Sequence, residues 1–142
     1  MIITTARKPS SKTRIFCKHL NGFTGWNYIT RGKSSLSMFA GESFLLVGES
    51  KGNPGSLDFF SNGRCVLSIR ANVSLDKEIE PGEAPVIEGD TPLAFALSKA
   101  AGPDIGGSPV RVIHVNDRIE FIDKGIPYIV LKLIGIRGEG IV

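Results

Sequence analysis

The sequence predicts an α/β protein of two similar halves, with mixed sheets and few helices. Three observations lead there. A helix-forming segment followed by strands in hairpins occurs twice, once in residues 1–75 and once in residues 76–142. Two segments, Ser10–Leu20 and Pro92–Ala101, combine capping residues with apolar side chains at helical spacing. Asn62-Gly63 joins two strand-like runs, and both residues tolerate the positive φ that a type I′ hairpin turn requires. At 142 residues, with 42% hydrophobic and 22% charged side chains, the chain fits one globular domain, 1–142, made of these halves.

Residues 1–5, MIITT, are apolar and β-branched and predict a short buried strand. Ser10 is placed to cap the helix that follows Pro9, and Asn21-Gly22 is expected to stop it after Leu20. Thr13, Phe16, Cys17 and Leu20 recur at i, i+3, i+4 and i+7 and mark its buried stripe, with Ile15 at the boundary. Arg14 and Lys18 lie opposite, four residues apart, a like-charge pair that an external anion would relieve.

A second strand is expected over Trp26–Ile29, and Ser34 is placed to cap a short helix through Ala40. Phe44–Gly48 is continuously apolar and belongs in the middle of a sheet. The run SKGNPG then reads as a tight loop. Strands Leu57–Ser61 and Arg64–Arg70 flank Asn62-Gly63, and another strand is expected near Val73. From there to Gly89 the chain carries Pro81, Gly82, Pro85 and five acids, the pattern of an acidic connection.

Asp90 or Thr91 caps the second main helix, with Pro92 at its first position, and Gly102-Pro103 ends it. After the loop GPDIGGSP come strands Val110–Val115, Arg118–Ile122 and Tyr128–Ile136, with turns at Asn116-Asp117 and Lys124-Gly125.

The net charge of +3 conceals an asymmetry, because the first acidic residue is Glu42. Arg7, Lys8, Lys12, Arg14, Lys18, Arg31 and Lys33 give +7 before it, and the remaining ten cations face all 14 acids. Such a distribution suggests one anion-seeking face. The opening MIITTARKPS has only a short apolar run, and no segment approaches the roughly 20 apolar residues of a membrane span, so no membrane partner and a cytoplasmic location are expected. Cys17 and Cys65 lack the dense spacing of a disulfide framework and are expected to be buried thiols.

Catalytic patterns fail when tested. Gly32-Lys33-Ser34 imitates the end of a phosphate-binding loop, but Asn27 stands where that loop needs glycine, and WNYI before it reads as strand. As a single phosphate-contacting segment it is more credible. No metal site is expected: Cys17 and His19, at i and i+2, do not share a helix face, and His114 is far away in sequence. Ser10 and Ser11 beside Lys12 are better explained by capping than by nucleophilic catalysis. No enzyme and no cofactor are expected.

The segment TARKPSSKTR favours binding instead, since hydroxyls and N–H groups at a helix start, ringed by Arg7, Lys8, Lys12 and Arg14, can accept phosphates. Phe23, Trp26 and Tyr28 could stack on unpaired bases, although core packing is the favoured role on a strand.

IITTARKPSSKTRIFCKHL resembles the opening of Brix-domain proteins, where a strand ending in hydroxyl residues precedes an Arg-x-Pro-Ser helix start. YITRGKSSLSMF is similar to the family's Arg-Gly-Lys segment, and FLLVGESKGNPGSLDFF to its strand, acid and Lys-Gly-x-Pro-Gly turn. The likeness continues through GRCVLSIRANVSL and, more loosely, through RVIHVNDRIEFIDKGIPYIVLKLIGIRG; the ending GIRGEGIV departs from the Gly-Pro-Arg-Phe of many longer members. The resemblance, to a short archaeal-type single Brix domain, implies two halves each like the anticodon-binding domain of a class II aminoacyl-tRNA synthetase. It also implies non-catalytic binding of precursor rRNA in ribosome biogenesis, with ribosomal proteins and other assembly factors as further partners.

The motif matches carry Arg7, Lys8, Lys12, Arg14, Arg31, Lys33 and Lys51 into the expected RNA-binding set, to which the helix-start reading adds Ser10 and Lys18. Two other functions fit the residues: an adaptor whose acidic stretch Asp76–Asp90 docks basic proteins, and a tRNA-binding accessory to a synthetase.

Overall fold

The computed structural model describes residues 1–107 and 110–141. Among these residues nine strands form one mixed sheet: β1 (Ile2–Thr5), β2 (Asn27–Tyr28), β3 (Phe44–Ser50), β4 (Asn53–Ser61), β5 (Arg64–Leu75), β6 (Val86–Glu88), β7 (Arg111–Val115), β8 (Arg118–Asp123) and β9 (Ile126–Gly138). Two α-helices, α1 (Ser11–Thr24) and α2 (Pro92–Ala101), and a 3-10 helix at Leu36–Phe39 complete the fold. The strand order is β2-β1-β3-β4-β5-β9-β8-β7-β6. Neither α-helix is long and apolar enough to cross a membrane.

The order hides a repeat. β1, α1, β3, β4 and β5 make a strand, a helix, a parallel neighbour and two further antiparallel strands; β6, α2, β7, β8 and β9 do the same. β2 is matched in the second set only by an isolated parallel bridge, Ile87↔Ile105, and among the described residues the 3-10 helix has no counterpart there. The expectation of separate sheets is corrected: β5 pairs antiparallel with β9 from Leu67↔Gly138 to Leu75↔Ile129, which fuses both sets into one sheet.

Strand alternation puts Ile3, Leu45, Leu57, Ile69, Ile129, Phe121, Ile113 and Ile87 on one face, and the helices cover it. Thr13, Phe16, Cys17 and Leu20 pack there from α1, and Leu93, Ala94 and Leu97 from α2, in one continuous core. Phe23 is fully buried, with Trp26 and Tyr28 packed partly against the same core, so the aromatics serve packing. The opposite face is open except near Phe39, whose ring leans on Phe44, itself stacked on Phe60 at 4.8 Å.

Several boundaries differ from expectation, each for a local reason. α1 runs through Asn21-Gly22 to Thr24 and ends at Gly25, which takes the left-handed φ of 77°. Gly22 is required by a close approach instead: a Cβ there would stand 2.2 Å from the Ile79 carbonyl oxygen. Ser35, not Ser34, caps the 3-10 helix. The SKGNPG loop contracts to a turn at Lys51-Gly52, with φ of 54° and 78°, because Asn53–Gly55 already belong to β4. The strand near Val73 is the far end of β5, and β6 lies inside what read as acidic connection. Thr91 is the N-cap of α2, accepting from the Ala94 N–H, and the Asn62-Gly63 turn closes the β4–β5 hairpin with φ of 52° and 77°. The loop expected over GPDIGGSP includes Ser108 and Pro109, which lie outside the described residues.

Cys17 is buried, and burial pushes its thiol up to about 12, so it stays protonated and inert. Cys65 is exposed, against expectation. A bulge between Phe59 and Phe60 pairs Cys65 with Phe60 and so turns it to the open face.

Candidate nucleic-acid interface

β1 and β3 are parallel, so the segment leaving β1, the start of α1 and the turn leaving β3 all gather at one edge of the sheet, beyond the carboxyl ends of those strands. The sequence builds this edge locally. Pro9 holds the chain extended after Arg7 and Lys8, and Ser10 adopts the extended conformation of an N-cap, its hydroxyl accepting from the Thr13 N–H at 3.2 Å.

Ser10 also joins the helix start to the β3–β4 turn. Its hydroxyl donates to the Gly52 carbonyl at 2.7 Å, and its N–H donates to Glu49 Oε1 at 2.5 Å. Lys51, at the tip of that turn, is thereby brought beside the start of α1. Ser10 is thus committed within the chain; among the described residues, the N–H groups of Ser11 and Lys12 have no internal acceptor and remain available to an external anion.

The hydrogen bond from the Ser10 N–H, followed by one involving Thr13, holds the Glu49 carboxyl below its ordinary value. A lowered folded pKa means the stabilisation is full above the unfolded glutamate range, about 4.3, and is lost as pH falls through the lower folded value. Glu49 is exposed, so the effect is small. Acid unfolding followed by circular dichroism should show Glu49→Gln slightly less stable than the native chain at neutral pH and converging with it below pH of about 4. Parallel curves throughout would contradict this role for Glu49.

Arg31 lies at the same edge, its Nε donating to the Thr5 carbonyl at 3.0 Å, while the Thr4 hydroxyl donates to Ile29 O at 2.9 Å. These bonds tie the Arg31–Ser34 turn, which carries exposed Lys33, beside the end of β1. Arg7, Lys8 and Lys12 are exposed there as well. Arg14 and Lys18 are exposed farther along α1, on the flank opposite its buried stripe. The edge therefore brings together Arg7, Lys8, Ser10, Lys12, Arg31, Lys33 and Lys51, and leaves Arg14 and Lys18 trailing down the helix.

Among the described residues, none of these cations has a carboxylate within ion-pair distance. The ion pairs present, Arg64–Glu139, Arg111–Asp123, His114–Glu88 and Arg118–Glu120, all fall later in the chain. Unpaired cations in one region produce a positive potential that phosphates can satisfy. No group of three or more His, Cys, Asp or Glu side chains among the described residues could hold a metal ion.

Sequence reading missed Arg70 and Arg137. Ser68 pairs directly with Arg137, and Ser68 and Arg70 alternate with buried Leu67, Ile69 and Ala71, so both arginines stand on the open face, exposed. The alternation in LSIRANV was a usable signal for Arg70; only the β5–β9 register brings Arg137 to it.

Comparison with known proteins gives a consistent set of relatives. No family model matches the chain. It is 42% identical over 106 residues to a probable Brix domain-containing ribosomal biogenesis protein of Methanosarcina mazei, covering 68% of each chain. It is 30% identical to the protein of the same description from Methanosarcina barkeri, over 96% of this chain and 99% of that one. Among solved structures, the fold is similar to Mil, an archaeal Imp4-like protein, with a TM-score of 0.82 and 29% identity over 97% of this chain and 99% of that one. A probable ribosomal biogenesis protein from Aeropyrum pernix K1 superposes with a TM-score of 0.72 at 26% identity, over 93% of each chain.

Proposed function

This chain belongs to the family of Brix domain-containing ribosomal biogenesis proteins, and from that premise we propose that it is a non-catalytic factor that binds precursor rRNA during ribosome-subunit assembly. The observation that carries the reading is the group of N-terminal cations that have no carboxylate partner among the described residues, concentrated at the edge where α1 begins. Arg7, Lys8, Lys12, Arg31, Lys33 and Lys51 neutralise phosphates; Arg14 and Lys18 extend the contact along α1, and Ser10 holds the helix start and the β3–β4 turn in register. Phosphate contacts of this kind set position and affinity, while shape and unpaired bases supply selectivity.

Each half, residues 1–75 and 76–142, takes the role of an anticodon-binding-like unit, a reading supported by the repeated strand-helix-strand order. The protein works in the cytoplasm without a cofactor, alongside ribosomal proteins and other assembly factors. Crosslinking to RNA in native extract, followed by sequencing of the bound fragments, is expected to enrich precursor rRNA at a defined site. Enrichment of tRNA would favour a synthetase accessory, and capture of ribosomal proteins with no RNA above background would favour an adaptor acting through Asp76–Asp90.

A further inference from the structure

The β4–β5 ladder stops at Ser56↔Arg70, although both strands continue beyond it. Asn53 and Pro54 pair only with β3, and Ala71–Leu75 pair only with β9, so the β3–β4 hairpin diverges from β5 and leaves a fork in the sheet. Three hollows adjoin this fork, of about 410, 250 and 280 Å³. They share walls: Asn53, Pro54 and Asn72 border the first two, and Arg70 borders the second and third. We treat the three neighbouring hollows, linked by these shared residues, as one trough, from Lys12 at the start of α1, past the fork, to Arg137 on the open face.

The chemistry of the wall is one-sided. Lys12, Lys51, Arg70 and Arg137 line the trough in succession, and among the described residues no carboxylate lines it, in a chain with 14 acids. Asp58, across from Ser68, accepts that residue's hydroxyl at 2.5 Å and is not part of the wall. Ile15, Pro54 and Ile134 supply apolar surface. Asn53 and Asn72 are exposed, and among the described residues their amides have no internal partner, so donors and acceptors face the gap where the hollows meet.

We propose that this trough holds an unpaired stretch of RNA, its phosphates following the four cations and its bases turned against the apolar wall and the Asn53 and Asn72 amides. The inference rests on the RNA-binding reading and deepens it by naming the form of RNA and its path. The fork offers an edge that an extended peptide could pair with, but Pro54 on the facing wall lacks an N–H and the succession of cations suits a polyanion. Amides without partners suit base edges, which are accessible only where RNA is not paired.

The test is fluorescence anisotropy of the full chain with a short oligouridylate and with a fully paired RNA hairpin, across a salt series. For Arg70→Gln/Arg137→Gln, oligouridylate affinity is expected to fall roughly tenfold and the slope of log affinity against log salt to flatten by about 1.4, two contacts at about 0.7 each. Hairpin binding, carried by the N-terminal cations, should change less than about twofold. Asn53→Ala/Asn72→Ala serves as a second variant that leaves every charge in place: its oligouridylate affinity should drop with the salt slope unchanged. A thermal melt of each variant confirms folding. Native-like oligouridylate binding by both folded variants, or equal loss of hairpin binding, would overturn the trough while leaving the wider reading intact. Failure of the native chain to bind either RNA would overturn both.

Discussion

Arg111→Ala should lower the unfolding free energy by about 3–5 kcal/mol, the cost of breaking a buried ion pair from one side. Arg111 and Asp123 face each other on paired strands β7 and β8, with side chains only 6% and 10% exposed, and Nη2 donates to Asp123 Oδ2 at 2.9 Å. The same guanidinium reaches the other half of the chain. Nη1 donates to the carbonyls of Gly22 and Phe23, at 3.1 and 3.0 Å, and Nη2 also to Glu80 O at 3.2 Å. The Phe23 ring lies under the cation, 5.1 Å from centroid to Cζ, and packs edge-on against Phe121 at 5.2 Å.

α1 has no basic residue in its last turn, so Arg111 supplies from β7 the charge that satisfies its terminal carbonyls. Truncation would leave Asp123 charged and buried and would release the end of α1 together with the 79–80 segment. Replacing both partners, Arg111→Met/Asp123→Leu, removes the stranded charge and should recover part of the loss, though not the carbonyl bonds. Urea unfolding of native chain, both single variants and a double variant measures these terms; a cost under about 1 kcal/mol for Arg111→Ala would rule out the clamp.

That clamp illustrates which features the sequence exposed. Capping by Ser10 and Thr91, the Asn62-Gly63 turn and the buried stripe of α1 depend on residues within a few positions of one another, and all were legible. Arg111 read as an ordinary strand residue, and Asp123 fell between the strand expected to end at Ile122 and the Lys124-Gly125 turn, because the partners of Arg111, Gly22, Phe23 and Glu80, come from distant segments. Gly22 read as a helix stop because nothing local reveals the Ile79 carbonyl beside it. β6 was hidden by its length, Val86–Glu88 only, and by Pro81, Gly82 and Pro85 before it.

The candidate site divides in the same way. Its N-terminal cations stood out because no acid interrupts them before Glu42. Ser10 was read correctly as a cap, yet its bonds to Glu49 and Gly52, which bring Lys51 to the helix start, follow only from the packing of α1 against the β3–β4 turn. Arg70 and Arg137 become neighbours through strand register, which periodicity alone does not disclose.

Charge neutralisation at the start of α1 should have the largest effect on RNA binding. Each phosphate contact contributes about 0.9 on a duplex and about 0.7 on a single strand to the slope of log affinity against log salt, so Arg7→Gln/Lys8→Gln/Lys12→Gln/Lys51→Gln should flatten the slope by about 3 to 4. At physiological ionic strength that corresponds to an affinity loss of roughly a hundredfold to a thousandfold. All four side chains are exposed and lack ion-pair partners among the described residues, so stability should change by less than about 0.5 kcal/mol each.

Arg14→Gln/Lys18→Gln, on the flank of α1, should weaken binding more moderately and flatten the slope by about 1.8. It should also relieve the repulsion between two cations one helical turn apart, so the helix gains slightly while the RNA complex loses. Opposite signs in stability and affinity separate a binding surface from an ordinary solvated helix face, for which stability would rise and RNA affinity would stay constant. Filter-binding titrations on a precursor rRNA transcript, repeated across salt, supply the affinity and its slope, and urea unfolding supplies the stability; an unchanged slope in the folded quadruple variant would place the RNA contacts elsewhere on the molecule.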